Sequence, residues 1–513
     1  MRVFLSGPMG VGKSTVAARV AERLGLRTVD LDARIEARAG RRVAEIFAER
    51  GEPAFRELER ACARELLEED DVVVALGGGT VTDRATRRAL LASGVLVTLT
   101  APVEELLRRV GGGEGRPLLQ GDAEARLRAV LEARRSDYAE AHARVDAARP
   151  VEAVVDEIVA WVREEPVAVA LGERSYAVEI AAGCRARLPQ RVAHASGVVL
   201  VADRNTARYL PTEAAVGPER ARRVVLEPGE EHKDIRAVER IWDAGLELGG
   251  DRNAGVVAIG GGVVGDLAGF AAATLLRGVA FGQVPTSLLA MVDSSVGGKT
   301  GFDRPQGKNL VGAFHQPRFV LCDVETLVTL PVEERIAGLA EVVKAAWLEG
   351  EDDVAALERD AEALRAGDPA ATERAIRRSV RTKARVVMAD EHESGLRMSL
   401  NLGHTIGHAL EAAAGFGALR HGEAVALGMV AAMRVGRSLR QLDGASVVRC
   451  TALLDRLGLP TDLDRRLDDE VFAYVGADKK RAGATVRFVV PGAPGSHRIE
   501  PIALDALRRH VAG

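Results

Sequence analysis

The sequence predicts an α/β P-loop domain followed by a two-part unit, an α/β nucleotide-binding half and an all-helical half with a candidate metal site. Three observations lead there. Residues 3–6 form a short apolar strand that enters GPMGVGKST (7–15), and an amphipathic run follows over 16–24. Residues 255–259 form a second apolar strand, which enters GGGVVGD (260–266), a G-x-G-x-x-G loop ahead of a helical pattern at 267–273. From about residue 325 the apolar spacing turns helical, and the stretch 401–423 holds three of the chain's ten histidines, His404, His408 and His421.

Bulk properties narrow the function classes. A chain of 513 residues is too long for one ordinary core. It is 47% hydrophobic and 28% charged with net charge -4, a soluble composition without a global basic field. Nucleic acid is therefore not an expected partner, and a basic cluster reads as a local anion pocket. The four cysteines, Cys62, Cys184, Cys322 and Cys450, form no CxxC, which points to a reducing cytoplasm and no cysteine metal site. The start of the chain enters its glycine loop at once, leaving no room for a signal peptide, and no run of about 18 apolar residues suggests a membrane partner.

In the first domain, strand, G-x-x-x-x-G-K-S and helix stand in the order a phosphate-binding loop requires. Gly10 and Gly12 let backbone N–H groups turn inward around phosphates, and the helix N-terminus adds partial positive charge. Lys13 reaches the β- and γ-phosphates, Ser14 holds Mg²⁺, and Thr15 continues the loop. Residues 28–32 read as a strand that ends in two carboxylates on one face, Asp30 and Asp32, each of which is also a candidate N-cap for a helix starting near Ala33. FRELE (55–59), a strand over 72–76 ending in Gly77, Gly78 and Gly79, Arg116 in a glycine-rich stretch, and Arg134 four residues before Tyr138 complete the set.

With these motifs in order, residues 1–165 resemble shikimate kinase. The resemblance implies ATP–Mg²⁺ contacts at Lys13, Ser14 and Asp30, and shikimate contacts at Asp32, Arg56, Gly78 and Arg134. It places Arg116 in a lid that closes over phosphates. RRSDY (134–138) lacks the Pro-Leu often found before that tyrosine, so Arg134 and Arg135 compete for one role.

A closing amphipathic helix over 151–163 is broken at Pro166, and new strands follow at 167–171 and 176–180, which puts the domain boundary at 164–168. The next part, 166–324, is α/β and contains a strand over 197–203 that ends in Asp203, with Asn205 just beyond. The glycine loop Gly260, Gly261, Gly262 and Gly265 has no acid about twenty residues downstream, which leaves Asp203 as the candidate ribose partner. PTSLLAMVDSSVGGKT (285–300) and GKN (307–309) set lysines among glycines and small polar residues, an anion pocket rather than a solvated face. In the helical part, 325–513, Glu341 and Lys344 lie one turn apart, a spacing most common for surface ion pairs. His404 and His408 are four apart, so on a helix they share a face and could grip a divalent metal.

GGGVVGD, DSSVGGKTG, GKN, AEVVK, NLGHTIGHALE and HGEAVALGM occur in this order, and with them residues 167–490 resemble 3-dehydroquinate synthase. The resemblance implies Zn²⁺ (or Co²⁺) on Glu341, His404 and His421, with His408 catalytic rather than a ligand, against what spacing alone suggests. It implies substrate contacts at Asp293, Lys299, Asn309, Lys344, Lys383, Arg397 and Asn401, with Arg277 also a phosphate candidate. NAD⁺ contacts fall at Asp203, Asn205, Glu230, Lys233, Gly260, Gly261, Gly262, Asp266, Thr286, Ser287, Lys308 and Thr329. One of the lysines in DKK (478–480) is a further basic candidate. The implied reactions are ATP-dependent 3-phosphorylation of shikimate and conversion of 3-deoxy-D-arabino-heptulosonate 7-phosphate to 3-dehydroquinate and phosphate. A homodimer through the second domain is expected by the same resemblance. Two other readings compete: another metabolite kinase joined to another sugar-phosphate cyclase, and a half that binds ligand without turnover. Asp32, Arg56 and Arg134 speak against the first for the kinase and Arg277, Lys383 and Arg397 for the cyclase, and the intact Lys13, Asp32, Glu341, His404 and His421 speak against the second.

Overall fold

The computed structural model describes residues 1–110, 122–249, 251–415, 418–477 and 485–512. Arg116 with its flanking glycines, and DKK at 478–480, lie outside the described residues. The chain divides into two compact units, Met1–Glu179 and Ile180–Gly513.

The first unit is built on five parallel strands, β1 (Arg2–Ser6), β2 (Arg27–Asp30), β3 (Val72–Ala75), β4 (Val95–Thr100) and β5 (Ala143–Asp146), in spatial order β2-β3-β1-β4-β5. The central strands β1, β3 and β4 are buried at nearly every position, as both their faces are covered. Val3 and Leu5 face one core with the helices Lys13–Leu24 and Val151–Glu164, while Phe4 faces the other with Phe55, Cys62 and Leu66. The order reverses at β1, so the loops after β1 and β3 open side by side at the strands' carboxyl ends, where an α/β sheet binds ligands. The strand expected over 28–32 stops at Asp30, and Asp32 lies in the first turn of the helix Leu31–Ala39. The reason is capping: Asp30 Oδ1 accepts hydrogen bonds from the Asp32 and Ala33 N–H groups.

An antiparallel pair follows, β6 (Val167–Val169) with β7 (Tyr176–Ile180), in register through Val167 and Val178. Within the second unit β8 (Val198–Asp203), β9 (Ala221–Leu226), β10 (Gly255–Gly260), β11 (Ala280–Pro285) and β14 (Val320–Cys322) are parallel in the order β14-β11-β10-β8-β9. A hairpin, β12 (Lys299–Arg304) with β13 (Gly307–Phe314), lies between β11 and β14 in sequence. The helix after β10 starts earlier than its apolar pattern suggests, at Gly262 rather than 267, so the glycine loop is itself the first turn, with Gly261 as an N-cap that offers no side chain. Its N–H groups are left for a ligand. The remainder is helical, with one antiparallel hairpin, Thr485–Pro491 with His497–Ala503, whose Val486, Phe488 and Val490 alternate into the core.

Three helices of this part are pressed together at glycines: Val332–Glu349, His404–Ala414 and His421–Ser438. A Cβ on Gly422 would run into the Ala337 carbonyl, one on Gly428 into the Gly403 carbonyl, and one on Gly407 would stand 2.9 Å from the Ala424 carbonyl oxygen. Since the obstacles are backbone, they cannot swing aside. Gly428→Ala should therefore cost about 1–3 kcal/mol, the range for overpacking a tight core, read from the shift of the urea midpoint. A midpoint equal to that of the parent chain would show that the helices part freely.

Candidate active sites

In the first unit the loop after β1 takes left-handed or extended-positive backbone at Gly7 (φ 137), Gly10 (φ 78) and Gly12 (φ 96), which a side chain disfavours. Lys13 folds back over the loop, donating to the Gly7 and Pro8 carbonyls at 3.0 and 3.1 Å. Ser14 donates to Asp30 Oδ2 at 2.6 Å, so the two residues expected to share Mg²⁺ already touch, and Asp30 caps its helix with the other oxygen. Thr15 follows Ser14 in the first turn of the helix.

Opposite this loop, Gly77–Gly79 form a strip on which the expected shikimate contacts converge. A Cβ on Gly77 would come within 2.7 Å of Glu59 Oε1 and 3.0 Å of Asp32 Oδ1, and one on Gly79 would strike the Arg56 guanidinium. Arg134 Nη1 and the Tyr138 hydroxyl both donate to the Gly78 carbonyl, at 2.9 and 2.6 Å. Arg135 turns to Glu173 at 3.1 Å instead and is exposed. Arg56 is held by Glu59 at 2.6 Å and Glu52 at 2.9 Å. Desolvation, then the charges of Asp30 and Glu59, push the Asp32 carboxyl up to about 6.

In the second unit the register of β8 against β10 sets Ala202 beside Ile259, and so brings Asp203 to the glycine loop. Asp203 Oδ1 accepts from the Asn205 and Thr206 N–H groups at 2.9 and 2.8 Å and closes that turn. Thr286 N–H donates to the Gly260 carbonyl at 2.9 Å, while Cβ atoms built on Gly261 and Gly262 would meet Ser287 Oγ at 3.5 Å and Ser294 Oγ at 3.3 Å. Gly265, deeper in the helix, faces Gln283. Lys233, buried, joins Asp266 and Asn309 Oδ1, each at 2.7 Å, with Glu230 at 3.6 Å. Burial works to lower Lys233, yet Asp266 and Glu230 hold it above its ordinary value. Thr329 Oγ1 lies 2.5 Å from the Tyr209 hydroxyl.

A largely buried charge cluster joins Asp293, at the end of the α/β part, to side chains of the helical part. Asp293 sits on one π-helical turn, Ala290–Ser294, where the regular helical bonding is opened. Lys383 Nζ donates to its carboxylate and its carbonyl, both at 2.6 Å, and Lys344 Nζ stands 4.0 Å away. Burial favours protonating Asp293, but Lys383 and Lys344 more than offset it and hold the carboxyl far below its usual range. Glu341 and Lys344, which spacing reads as a surface pair, are 2% and 3% exposed and in contact. The surface reading fails because the glycine-mediated packing covers this face of the helix. Arg397, also buried, donates to the Gly297 carbonyl at 2.9 Å and to the Glu391 carbonyl. Glu393, which no motif singled out, accepts from Lys299 at 2.5 Å and from Asn401 at 3.1 Å. Its backbone is left-handed (φ 59), a strain that sequence does not display. Among the described residues no contact ties Arg277 to this cluster; it is exposed on a turn with φ 50 at Leu276 and 66 at Arg277.

The histidines meet Glu341. One donor atom each from Glu341, His404 and His421 lies within 4.8 Å of the others, and the same holds for His408, Glu411 and His421. His404 Nε2 is 3.4 Å and His421 Nε2 3.7 Å from Glu341 Oε1. The opposite ring nitrogens are both tied, His404 Nδ1 donating to the Leu402 carbonyl at 3.2 Å and His421 Nδ1 to Glu411 Oε2 at 3.2 Å. Both Glu341 oxygens are buried; Oε2 meets the Lys344 ammonium, and Oε1 accepts no hydrogen bond. Two oriented imidazoles and a buried carboxylate with open lone pairs suit a divalent cation. Burial, then the Lys344 charge, press His404 down to about 3, which leaves its ring neutral. His408 is exposed, with its ring centroid 5.2 Å from His404 and 5.9 Å from His421.

A phosphate-binding loop facing a carboxylate-and-arginine pocket defines a small-molecule phosphotransferase. A nucleotide-type glycine loop with a carboxylate–imidazole centre in a lysine-rich cleft defines a metal-dependent enzyme acting on an anionic substrate. Family models match both: shikimate kinase over residues 9–163, 3-dehydroquinate synthase N-terminal over 223–337, and 3-dehydroquinate synthase C-terminal over 338–481. The 3-dehydroquinate synthase of Symbiobacterium thermophilum is 46% identical over 349 residues, covering 66% of this chain and 97% of its own. That of Methylococcus capsulatus is 45% identical over 343 residues, 66% of this chain and 95% of its own. A solved 2-deoxy-scyllo-inosose synthase, complexed with carbaglucose-6-phosphate, NAD⁺ and Co²⁺, aligns with TM-score 0.62 and 25% identity over 67% of this chain and 99% of its own. The chain belongs to the 3-dehydroquinate synthase family and carries a shikimate kinase ahead of it, a bifunctional enzyme of the shikimate pathway. Among the described residues no helix is long and apolar enough to cross a membrane.

Proposed function

We propose that the kinase site transfers the ATP γ-phosphoryl group to the 3-hydroxyl of shikimate, and that the synthase site converts 3-deoxy-D-arabino-heptulosonate 7-phosphate to 3-dehydroquinate and phosphate. Domain limits of 1–165, 166–324 and 325–513 follow from this reading. The observation that carries it is convergence: residues scattered in sequence meet in two clefts with the charges these substrates need. In the first, Gly10, Gly12, Lys13 and Thr15 cradle the phosphates, and Ser14 with Asp30 holds Mg²⁺. Asp32 accepts from shikimate hydroxyls beside Gly78, and Arg56 and Arg134 fork onto its carboxylate. Arg116 is a further phosphate contact by the resemblance alone.

In the second cleft Lys299, Lys344, Lys383, Arg397, Asn309 and Asn401 hold a doubly anionic substrate, with Arg277 as a further phosphate contact. Asp293 keeps Lys383 and Lys344 in place while their charges are buried. Glu393, already on Lys299 and Asn401, sets both against the substrate. NAD⁺ lies along Gly260–Gly262 and Asp266, with Asp203, Asn205, Glu230, Lys233, Thr286, Ser287, Lys308 and Thr329 around it, and supplies reversible acceptance of a hydride. Glu341, His404 and His421 hold Zn²⁺ or Co²⁺, which supplies polarisation of a substrate hydroxyl and carbonyl. His408, on the same helix but exposed, moves protons at the substrate. The enzyme works in the cytoplasm as a homodimer through its synthase domain, without nucleic acid or membrane.

Two measurements check these roles. On one purified chain, phosphate release from the heptulosonate phosphate should vanish on chelation and return with Zn²⁺ or Co²⁺. His404→Ala should lose the metal, while His408→Ala should keep it and lose rate; activity indifferent to chelators would sink the metal assignment. For the kinase, the Asp32 carboxylate is lost to protonation as pH falls through about 6. Its kcat/KM for shikimate should then drop roughly tenfold per pH unit below that point, and Asp32→Asn should be slow and flat over the same range. A parent profile level down to pH values well under 6 would contradict the role.

A further inference from the structure

The synthase half contains a connected triad, Lys308, Glu411 and His421, whose middle member, Glu411, the reading above leaves without a role. Glu411 lies on the helix His404–Ala414, seven residues after His404, and faces the first residue of the helix His421–Ser438. Its Oε2 accepts from His421 Nδ1 at 3.2 Å, and its Oε1 accepts from Lys308 Nζ at 3.0 Å across from strand β13. The two Glu411 oxygens are thus divided between an imidazole and an ammonium. The two ring nitrogens of His421 are divided as well, with Nε2 on the Glu341 side and Nδ1 on the Glu411 side.

We infer that Glu411 is a positioning residue of the metal centre: it fixes the Nδ1–H tautomer and the ring orientation of His421, so that Nε2 presents its lone pair beside Glu341 and His404. The inference rests on the metal reading of Glu341, His404 and His421. Geometry favours this over Glu411 as a ligand in the rival group with His408. Both Glu411 oxygens are occupied, by Lys308 and by His421 Nδ1, whereas Glu341 meets Lys344 through Oε2 only and its Oε1, on the side of both Nε2 atoms, is buried and accepts no hydrogen bond. A carboxylate behind a ligating imidazole holds the ring in place and raises its basicity, and removing such a partner weakens metal binding about 10–100-fold. The same chain of contacts reaches Lys308, one of the residues assigned to NAD⁺, so the pocket for the nucleotide and the metal centre share a member. Lys308→Ala should weaken metal binding in the same direction as Glu411→Ala and by less, because Glu411 still meets His421.

The experiment is zinc affinity by competition with a chromophoric chelator, on full-length wild type, Glu411→Ala, Glu411→Gln and His421→Ala, together with the visible spectrum of each after Co²⁺ loading. The expected result is a loss of about 10–100-fold for Glu411→Ala, partial recovery in Glu411→Gln, whose amide oxygen still accepts from Nδ1–H, and an altered Co²⁺ band in Glu411→Ala. The unfolding midpoint of metal-free Glu411→Ala should match wild type, which separates positioning from a folding defect; a loss of affinity that merely follows a collapsed midpoint, unrecovered by Gln, overturns the inference. If Glu411→Ala binds zinc as tightly as wild type while His421→Ala does not, the positioning role falls and the metal centre stands. If wild type takes up no zinc, or His421→Ala binds it unchanged, the metal reading falls and takes this inference with it.

Discussion

The synthase half depends on how closely three helices approach one another. Gly422 abuts the Ala337 carbonyl, Gly428 abuts the Gly403 carbonyl, and Gly407 lies under Ala424. Backbone against backbone leaves no compliance, so the distances between the helices are fixed to within a fraction of a side chain. Glu341, His404 and His421 are carried on these helices, each within a turn or so of a contact. Gly422 follows His421 directly, and Gly403 precedes His404. The packing that removes Glu341 from water is the packing that sets two imidazoles beside it.

That burial has electrostatic consequences. Glu341, Lys344 and Lys383 are shielded from solvent and Asp293 is half-buried against the two lysines, a row of opposite charges in which each ion is tolerable only because the next is in place. A cleft so constructed is stiff and already polarised before a substrate arrives, as electrostatic catalysis requires. The kinase uses a related device at smaller scale. Gly77 and Gly79 leave room for Glu59, Asp32 and the Arg56 guanidinium to close against bare backbone, and the Gly78 carbonyl collects Arg134 and Tyr138. In both clefts glycine supplies proximity rather than flexibility.

What could be read from sequence divides along the same line. Contiguous devices were legible: the phosphate loop at 7–15, the glycine loop at 260–265 and the order of strands and helices, because local backbone geometry dictates their residues. Features made by tertiary contact were not. Glu341 and Lys344 have the spacing of a surface pair, and only the covering helices make them a buried one. The spacing of His404 and His408 suggests a shared metal, but His404 is the first residue of its helix and its Nε2 is aimed across to Glu341 instead. Glu393 and Glu411 find their lysines about a hundred residues away, at Lys299 and Lys308, beyond the reach of any periodicity. Alternation carries the strand pattern through Asp30 to Asp32, but the capping bonds that Asp30 accepts end the strand before it.

The central claim, that Glu341, His404 and His421 and not the neighbouring histidine pair hold the metal, is tested most directly by anomalous diffraction at the zinc edge from crystals of the zinc-loaded chain. The account predicts one peak within bonding distance of the Glu341 carboxylate, His404 Nε2 and His421 Nε2, with His408 outside the coordination sphere. A peak between His408, Glu411 and His421, or none among these side chains, would contradict it.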